Sequence, residues 1–261
     1  MSVSDDQKSL FCKGVRRHCF DFSSKGYVNL AGNRGITGDA KEAVRSRSDF
    51  LNNGYYLPIA DSLVNILKKY KADGFVVDAG CGEGYYTQKI SESGYNVLGL
   101  DLSKFGVHST AIRLKCNVND SAFACVSSIF EMPLSDSCVD AVVSIFAPCS
   151  EEEICRVLAD DGIMVVVAAG REHLMGLKKA LYNTVYENEQ RADMPSGMTL
   201  LEQISLRYSV TINSNQDILN LFSMTPYYWR TSVSDREKLQ GLDSLETDID
   251  VNFSVYKKEM L

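Results

Sequence analysis

The stretch that decides the fold is VVDAGCGEGYYTQKI, residues 76–90. A short apolar run leads into three glycines within five positions, Gly80, Gly82 and Gly84, and a helical pattern follows. Glycine lacks a Cβ, so such a turn can adopt positive φ and let a ligand lie against its backbone amides. The stretch therefore predicts the first strand, turn and helix of a doubly wound sheet, with a ligand crevice beyond the carboxyl end of the strand.

Strand and helix patterns alternate on the carboxyl side of this turn, which predicts a parallel sheet with helices on both faces. The predicted strands are residues 74–79, 95–101, 122–126, 138–146 and 162–169, and 204–212 and 249–257 form a predicted antiparallel pair. The predicted helices are residues 58–70, 85–94, 150–162 and 173–187, with Gly94 and Gly162 in the position that ends a helix.

The residues around the turn indicate which ligand it binds. Asp101 ends the second strand, 21 residues after Gly80, where its carboxylate can accept both hydroxyls of a ribose. Dinucleotide folds space their glycines G-x-G-x-x-G, so that phosphate rests on the helix N-terminus. Here the third glycine comes one residue early and Asp78 precedes the turn, which disfavours pyrophosphate and favours a cation. The pattern resembles the class I methyltransferase signature and predicts S-adenosylmethionine, with a plain tight turn as the alternative.

Composition narrows the class of protein. The 261 residues are 45% hydrophobic and 23% charged, enough for one large globular domain with a small appendage. No apolar run approaches the ~18 residues of a membrane span, and the N-terminus lacks the pattern of a signal peptide, so we expect a cytoplasmic protein with no membrane partner. The eight cysteines mostly stand alone in apolar segments, and we expect them to be reduced.

The charge is unevenly distributed. Residues 1–47 hold nine Lys/Arg and five Asp/Glu, a net +4, so the remainder of this chain of net charge −7 carries −11. The basic N-terminal arm is therefore the candidate surface for a polyanion, with a solvated basic face as the alternative.

Several segments together resemble one family nearly end to end, the 23S ribosomal RNA (guanine-N1)-methyltransferases. They are GCGEGYYT (80–87), GLDLSK (99–104), SSIFEMPLSDSCVDAVVSIFAPC (127–149), EHLMGLKKALY (172–182), MTPYYWR (224–230), FDFSSKGYVNL (20–30) and residues 38–60. The resemblance implies a class I methyltransferase (Rossmann-like) α/β fold with a mostly parallel seven-stranded sheet. It also implies a small N-terminal module, residues 1–35, ahead of a methyltransferase domain, residues 36–261.

The resemblance also implies which residues hold S-adenosylmethionine. The set is Tyr56, Asp78, Gly80, Gly82, Glu83, Gly84, Tyr85, Asp101, Ser128, Ile129 and His173. The glycine turn would line the methionine end of the cofactor, Asp101 the ribose, and Ser128 with Ile129 the adenine. Ordinary loop, core and helix positions are the alternative for Tyr56, Ser128, Ile129 and His173.

Methyl transfer to guanine N1 is an in-line displacement that depends mainly on alignment, although the N1 proton must also leave. The resembled family commonly has a tyrosine where this chain has Phe146, so a hydroxyl role there is lost and no general base is assigned. Phe146, as a stacking platform, and His173 remain the catalytic candidates. Because N1 lies on the pairing edge, the target guanine must be unpaired, as in a hairpin loop.

The predicted RNA-binding residues are basic or aromatic, and a core cluster or solvated surface charges are the alternative. They are Arg16, Arg17, Lys25, Arg45, Arg47, Arg171, Tyr228, Trp229 and Arg230. The expected partner is a 23S rRNA hairpin, and a homodimer is left open. A methyltransferase for a small metabolite and a non-catalytic S-adenosylmethionine-binding RNA protein are the alternative functions.

The resembled family carries an N-terminal zinc module, from which this chain departs. Its first ligand pair is absent, and only Cys12, His18 and Cys19 remain, which does not complete the tetrahedron of a structural zinc site. We therefore expect no zinc, and a module held instead by Phe20, Phe22 and Tyr27 packing on the methyltransferase domain.

Overall fold

A computed structural model describes residues 2–12, 18–32, 39–70, 74–115, 121–189 and 197–259. The predictions made for Arg16 and Arg17 lie outside the described residues. The strands are β1 (Ser2–Val3), β2 (Ser9–Phe11), β3 (Cys19–Asp21), β4 (Val28–Asn29), β5 (Phe75–Ala79), β6 (Asn96–Asp101), β7 (Ala122–Val126), β8 (Val139–Ile145), β9 (Leu158–Ala169), β10 (Met198–Ile212) and β11 (Leu245–Lys258). The helices are α1 (Lys41–Asn52), α2 (Leu57–Lys69), α3 (Tyr85–Glu92), α4 (Lys104–Lys115), α5 (Glu151–Val157), α6 (Met175–Leu181), α7 (Asn215–Ser223) and α8 (Val233–Gln240).

The large sheet has the strand order β10-β11-β9-β8-β5-β6-β7-β4. Strand β11 is antiparallel to both of its neighbours, and the other neighbouring pairs are parallel. The mostly parallel seven-stranded sheet is therefore confirmed, and the two-residue strand β4 extends it at one edge. The chain runs outward from β5 to β7 and then returns to the other side of β5 as β8. This reversal places the topological switch point between β5 and β8, where ligands bind in open α/β sheets.

The sheet is covered on both faces because consecutive strand residues point to opposite sides. Val76 of β5 lies in a hydrophobic core with helices α1, α2, α3, α6 and α7, whereas its neighbour Val77 lies in a second core with α5. Both side chains are fully buried.

The N-terminal strands β1–β3 form a separate small antiparallel sheet, and Phe20 and Phe22 pack against the second core. Tyr27 lies in a third core with α4, so the predicted packing of the N-terminal module is confirmed.

Two predicted helices end earlier than expected. The helix predicted to reach Gly162 ends at Val157, because the amides of Ser137 and Cys138 bind the carbonyls of Arg156 and Val157 and the chain continues as strand β9. The helix predicted over residues 173–187 spans only Met175–Leu181. No helix in the described part of the chain is long and apolar enough to cross a membrane.

Candidate active site

The glycine turn between β5 and α3 adopts the conformation that its sequence predicts. Gly80, Gly82 and Gly84 have φ of 90°, 54° and 88°, which side chains rarely adopt. The surroundings exclude side chains as well, since a Cβ on Gly84 would lie 2.7 Å from Thr110 backbone and side-chain atoms of α4. A Cβ on Gly80 would lie 2.7 Å from the Cβ of Ala147. The turn is therefore packed between α4 and the loop after β8, with its backbone at the switch point.

Asp78, the acid in front of the turn, is 1% exposed. Its Oδ2 accepts a hydrogen bond of 2.5 Å from the hydroxyl of Thr87, which ties β5 to α3. Burial raises the pKa of Asp78 to about 7, and the nearby carboxylates Glu83 and Asp101 add to this effect while Thr87 opposes it. A cation brought close to a buried carboxyl group with a raised pKa stabilises its ionised form.

Two further carboxylates lie in the same region. Asp101, at the end of β6, accepts hydrogen bonds from the backbone N–H of Gly82 at 3.0 Å and of Ser103 at 2.7 Å. Glu83 is 2% exposed. Burial raises the pKa of both acids, although Arg47 and backbone N–H groups oppose the shift. Each Asp101 oxygen keeps a lone pair beyond its backbone bond, so the carboxylate can still accept a ribose hydroxyl.

Arg47 was predicted to bind RNA, but the structure places it against the glycine turn. Its Nη1 lies 2.6 Å from Asp39 Oδ2 and would be 3.2 Å from a Cβ built on Gly82. Arg45, two residues earlier on α1, instead points to solvent with an 83% exposed side chain and a long ion pair to Asp49. Arg47 is thus a cationic side chain beside the turn that sequence reasoning had assigned to another ligand.

Phe146 lies directly after β8, on the other side of the switch point from the glycine turn. It has a φ of 51°, a conformation that is uncommon for a bulky residue and costs free energy. Its N–H donates to the carbonyl of Val167 at 2.9 Å, which holds the strained residue in place. The ring remains 45% exposed, and the next residue, Ala147, abuts Gly80. An aromatic face is therefore available to solvent beside the turn.

His173 lies in the turn between β9 and α6 and is 8% exposed. Its Nδ1 accepts the backbone N–H of Asp250 at 3.2 Å, so the neutral imidazole carries its proton on Nε2, which lies 3.4 Å from the hydroxyl of Tyr56. Burial lowers the pKa of His173 to about 4, so the ring is neutral near neutral pH. The His173 ring stacks on Phe146 with centroids 5.7 Å apart, and the Tyr56 ring lies 6.3 Å from Phe146. The structure thus brings these three predicted residues into one cluster.

The segment after β7 presents a different residue from the one predicted for adenine. Ile129 is 7% exposed and packs in the second core, whereas Phe130 is 56% exposed. The N–H of Phe130 donates to the hydroxyl of Ser128 at 3.1 Å. Phe130 therefore offers an open apolar face where sequence reasoning had expected Ile129 to offer one.

The aromatic segment predicted to stack on RNA is only partly open. The Tyr228 ring is packed by Phe222, by Trp229 and by the guanidinium of Arg236, whose Cζ lies 4.9 Å from the ring centroid. Trp229 is 78% exposed and Arg230 is exposed. Trp229 and Arg230 are therefore the members of this segment that a ligand can reach.

Two other predicted RNA-binding residues lie elsewhere. Arg171 is exposed and pairs with Glu187 at 3.5 Å, in the turn that carries His173. Lys25 lies in a turn at the C-terminal end of α4, where Lys115 donates to the carbonyl of Ser24. Because α4 begins at the carboxyl end of β6 and runs away from it, the structure does not bring Lys25 to the glycine turn.

The remnant zinc ligands are also separated. Cys12 Sγ lies 3.3 Å from Nδ1 of His18, but Cys19 is directed toward Asp21, with 3.7 Å between Sγ and Oδ1. Among the described residues no group of three or more Cys, His, Asp or Glu side chains is arranged to hold a metal ion. This donor set does not fit a tetrahedral zinc site. The absence of zinc from the protein stays a prediction, which metal analysis tests.

Comparison with known proteins identifies the family. A family model described as a methyltransferase domain matches residues 71–222, more than half of the chain. The chain belongs to this methyltransferase family. A crystal structure of the YcgJ protein from Bacillus subtilis has a TM-score of 0.52 and 14% identity, and the likeness covers 77% of this chain and 99% of that one. This likeness bears on the fold alone.

Two relatives are similar in sequence to this methyltransferase. YxjB of Bacillus subtilis (strain 168), provisionally named a 23S rRNA (guanine-N1)-methyltransferase, is 28% identical over 265 residues, covering 96% of this chain and 92% of the relative. The 23S rRNA (guanine(748)-N1)-methyltransferase of Streptomyces fradiae is 30% identical over 171 residues, covering 63% of this chain and 59% of the relative.

Membership of the methyltransferase family implies S-adenosylmethionine as the methyl donor. The residues present fit that group. Three glycines expose the backbone of the turn, and Asp101 retains free lone pairs at the end of β6. Three carboxylates with raised pKa values lie together, and the positive charges of a sulfonium and an ammonium group would stabilise their ionised forms. When bound, S-adenosylmethionine supplies an electrophilic methyl group.

Proposed function

We propose that this methyltransferase transfers a methyl group from S-adenosylmethionine to N1 of a guanine in a hairpin loop of 23S rRNA. The relationship to YxjB supports this substrate because it covers 96% of the chain and so extends well beyond the matched methyltransferase domain. The Streptomyces fradiae relative also supports this substrate, because its name specifies the same reaction on 23S rRNA.

The observation that carries the proposal is the half-exposed ring of Phe146 beside the glycine turn. Its strained φ of 51° and its stacking on His173 hold an aromatic face open at the switch point. A flat, unpaired base is the natural occupant of such a face, and base stacking on an aromatic side chain contributes about 1–3 kcal/mol. The exposed Trp229 and Arg230 provide a second stacking face and a cation for the flanking nucleotides.

The cofactor roles follow from charge and position. The carboxylates of Asp78, Glu83 and Asp101 lie beside the sulfonium and ammonium groups of the donor. Asp101 also accepts a hydrogen bond from a ribose hydroxyl. Arg47, held by Asp39 beside Gly82, faces the donor's carboxylate, which a wall of acids alone would repel. In this arrangement Arg47 is a cofactor residue rather than an RNA contact.

The test uses 23S rRNA isolated from a strain that lacks this protein. The purified full-length chain is incubated with that RNA and methyl-labelled S-adenosylmethionine, and the product is examined by primer extension, because a methyl group on N1 blocks base pairing and stops the polymerase. Label in 23S rRNA together with one new stop in a hairpin loop is the expected result. The same RNA methylated beforehand in a strain that has the protein is the control and takes up no label.

Other outcomes point to the alternative functions. Salt-sensitive RNA binding without methyl incorporation would identify a non-catalytic RNA-binding protein. Binding of S-adenosylmethionine with neither RNA binding nor RNA methylation would instead favour a small-molecule substrate. Either result would reject the proposed reaction.

A further inference from the structure

The cluster of Tyr56, His173 and Phe146 contains a hydrogen-bond donor for which the described part of the chain offers no acceptor. His173 Nδ1 is occupied by the backbone N–H of Asp250, so Nε2 carries the proton and donates to the Tyr56 oxygen. The hydroxyl hydrogen of Tyr56 must then point to another acceptor. Among the described residues no side-chain or backbone acceptor for it is found, although Tyr56 is only 4% exposed. A buried donor without a partner costs about 1–3 kcal/mol, which a ligand acceptor would recover.

We propose that Tyr56 is a catalytic residue that donates a hydrogen bond to the O6 oxygen of the target guanine, and that His173 is the positioning residue that orients it. This inference rests on the proposed function. It differs from the cofactor contact that the family resemblance implies for Tyr56.

The chemistry of guanine explains why a donor at O6 accelerates the reaction. As the N1 proton leaves to water, negative charge is shared between N1 and O6. The N1 electron pair then forms the new N–C bond while the C–S bond breaks and its electron pair remains on sulfur. A fixed donor at O6 stabilises the charge that develops during this sequence, as an oxyanion hole does in acyl transfer.

The arrangement favours a donor role over a role as a base. Burial raises the pKa of Tyr56 far above its ordinary value, so the hydroxyl keeps its proton at working pH. His173 is equally unsuited to accept a proton, because its Nδ1 lone pair is already bound and burial lowers its pKa. The turn that carries His173 is held by the side-chain amide of Asn188, which donates to the carbonyls of Gly170, Arg171 and His173.

The location relative to the acceptor base agrees with this role. The Tyr56 ring lies 6.3 Å from Phe146 and 6.2 Å from His173, so the three rings form a triangle of which Phe146 is the half-exposed corner. Phe146 occupies the position where the resembled family commonly has a tyrosine. The hydroxyl of Tyr56 enters the same cluster from the turn that precedes α2.

The decisive experiment compares two RNA hairpins, one with guanosine and one with 6-thioguanosine at the target, whose sulfur is a weak acceptor. Wild-type enzyme should methylate the thio substrate more slowly, and this measurement needs no variant. The Tyr56→Phe variant should methylate guanosine about 100-fold more slowly, with unchanged affinity for S-adenosylmethionine and no remaining preference between the two hairpins. Tyr256→Phe removes a β11 hydroxyl that packs against the second core, whereas Tyr56 lies in the first core on the other face of the sheet. This variant is the matched control and should behave as wild type.

His173 is tested by rescue. His173→Phe should slow methylation as Tyr56→Phe does, whereas His173→Gln, which supplies an amide donor and an amide acceptor, should recover most of the rate. Equal loss in both His173 variants would overturn its positioning role. A Tyr56→Phe variant that binds S-adenosylmethionine more weakly but keeps the thio preference would overturn the inference about O6. Neither of these two results contradicts the proposed function, which fails only if the wild-type enzyme does not methylate the guanosine hairpin.

Discussion

Replacing Asp78 by asparagine should change how the stability of the protein depends on pH. The carboxylate is 1% exposed and has a pKa of about 7, above the unfolded value of about 3.9. Between those values the folded protein binds more protons than the unfolded chain, so the free energy of unfolding falls as the pH rises. The loss levels off above the folded pKa. For this group alone the linkage relation gives a loss of about 1.4 kcal/mol between pH 6 and pH 8.

Other titratable groups also change the free energy of unfolding between pH 6 and pH 8, and the comparison of variant with wild type must cancel their contributions. His173, whose folded pKa of about 4 lies below its unfolded value, has the opposite sign: its contribution should stabilise the fold by about 0.8 kcal/mol more at pH 8 than at pH 6. Since His173 is present in both proteins, the useful quantity is the difference between the pH slopes of wild type and Asp78→Asn. The asparagine oxygen can still accept from Thr87, so the hydrogen bond is retained.

The assay is urea denaturation at pH 6, 7 and 8 at constant ionic strength. From pH 6 to pH 8 the free energy of unfolding of Asp78→Asn should gain about 1.4 kcal/mol relative to that of wild type, in the direction of greater relative stability at high pH. Asp243→Asn, which removes an exposed carboxylate, should keep the wild-type slope. Equal slopes in wild type and Asp78→Asn would refute the reasoning.

The pH dependence of ligand binding to the wild-type protein tests whether Asp78 makes the site favour a cation. If the bound sulfonium and ammonium keep Asp78 ionised, wild-type affinity for S-adenosylmethionine should rise up to about tenfold from pH 6 to pH 8, with release of a proton. S-adenosylhomocysteine lacks the sulfonium charge, so its affinity should rise less. Calorimetry in two buffers with different ionisation enthalpies measures both quantities. An affinity ratio of the two ligands that is independent of pH would exclude this role for Asp78.

Three further changes are predicted. Arg47→Met should weaken S-adenosylmethionine and S-adenosylhomocysteine alike by about tenfold or more, because both carry the carboxylate; calorimetry checks this, and Arg45→Met on the same helix is the control. Gly84→Ala should lower the free energy of unfolding, measured by urea denaturation, by several kcal/mol. The loss should exceed that of Gly94→Ala by about 2 kcal/mol or more, because both glycines have positive φ but only the new Cβ at Gly84 would contact α4. Trp229→Ala should weaken hairpin binding by about 1–3 kcal/mol without changing cofactor affinity, and unchanged RNA affinity in a filter-binding assay would remove Trp229 from the RNA surface.

Much of the fold was predictable because its signals are local. The alternating strand and helix patterns predicted the seven strands of the main sheet, and the three glycines predicted a turn with positive φ. Asp101 was predictable too, since the end of β6 must lie beside the end of β5 in a parallel pair. The helix ends after residues 157 and 181 were missed. In the first, the partners of the terminal carbonyls come from residues distant in sequence, Ser137 and Cys138.

The sequence by itself determined the fold class and the glycine turn, because the elements of both depend on residues within a few positions of one another. Only the tertiary structure decided that Arg47 belongs to the turn rather than to a basic arm, and that Tyr56 meets His173, 117 residues away. The physical reason is that the order of strands in the sheet decides which distant segments meet at the switch point. Local periodicity and turn chemistry carry no information about that order.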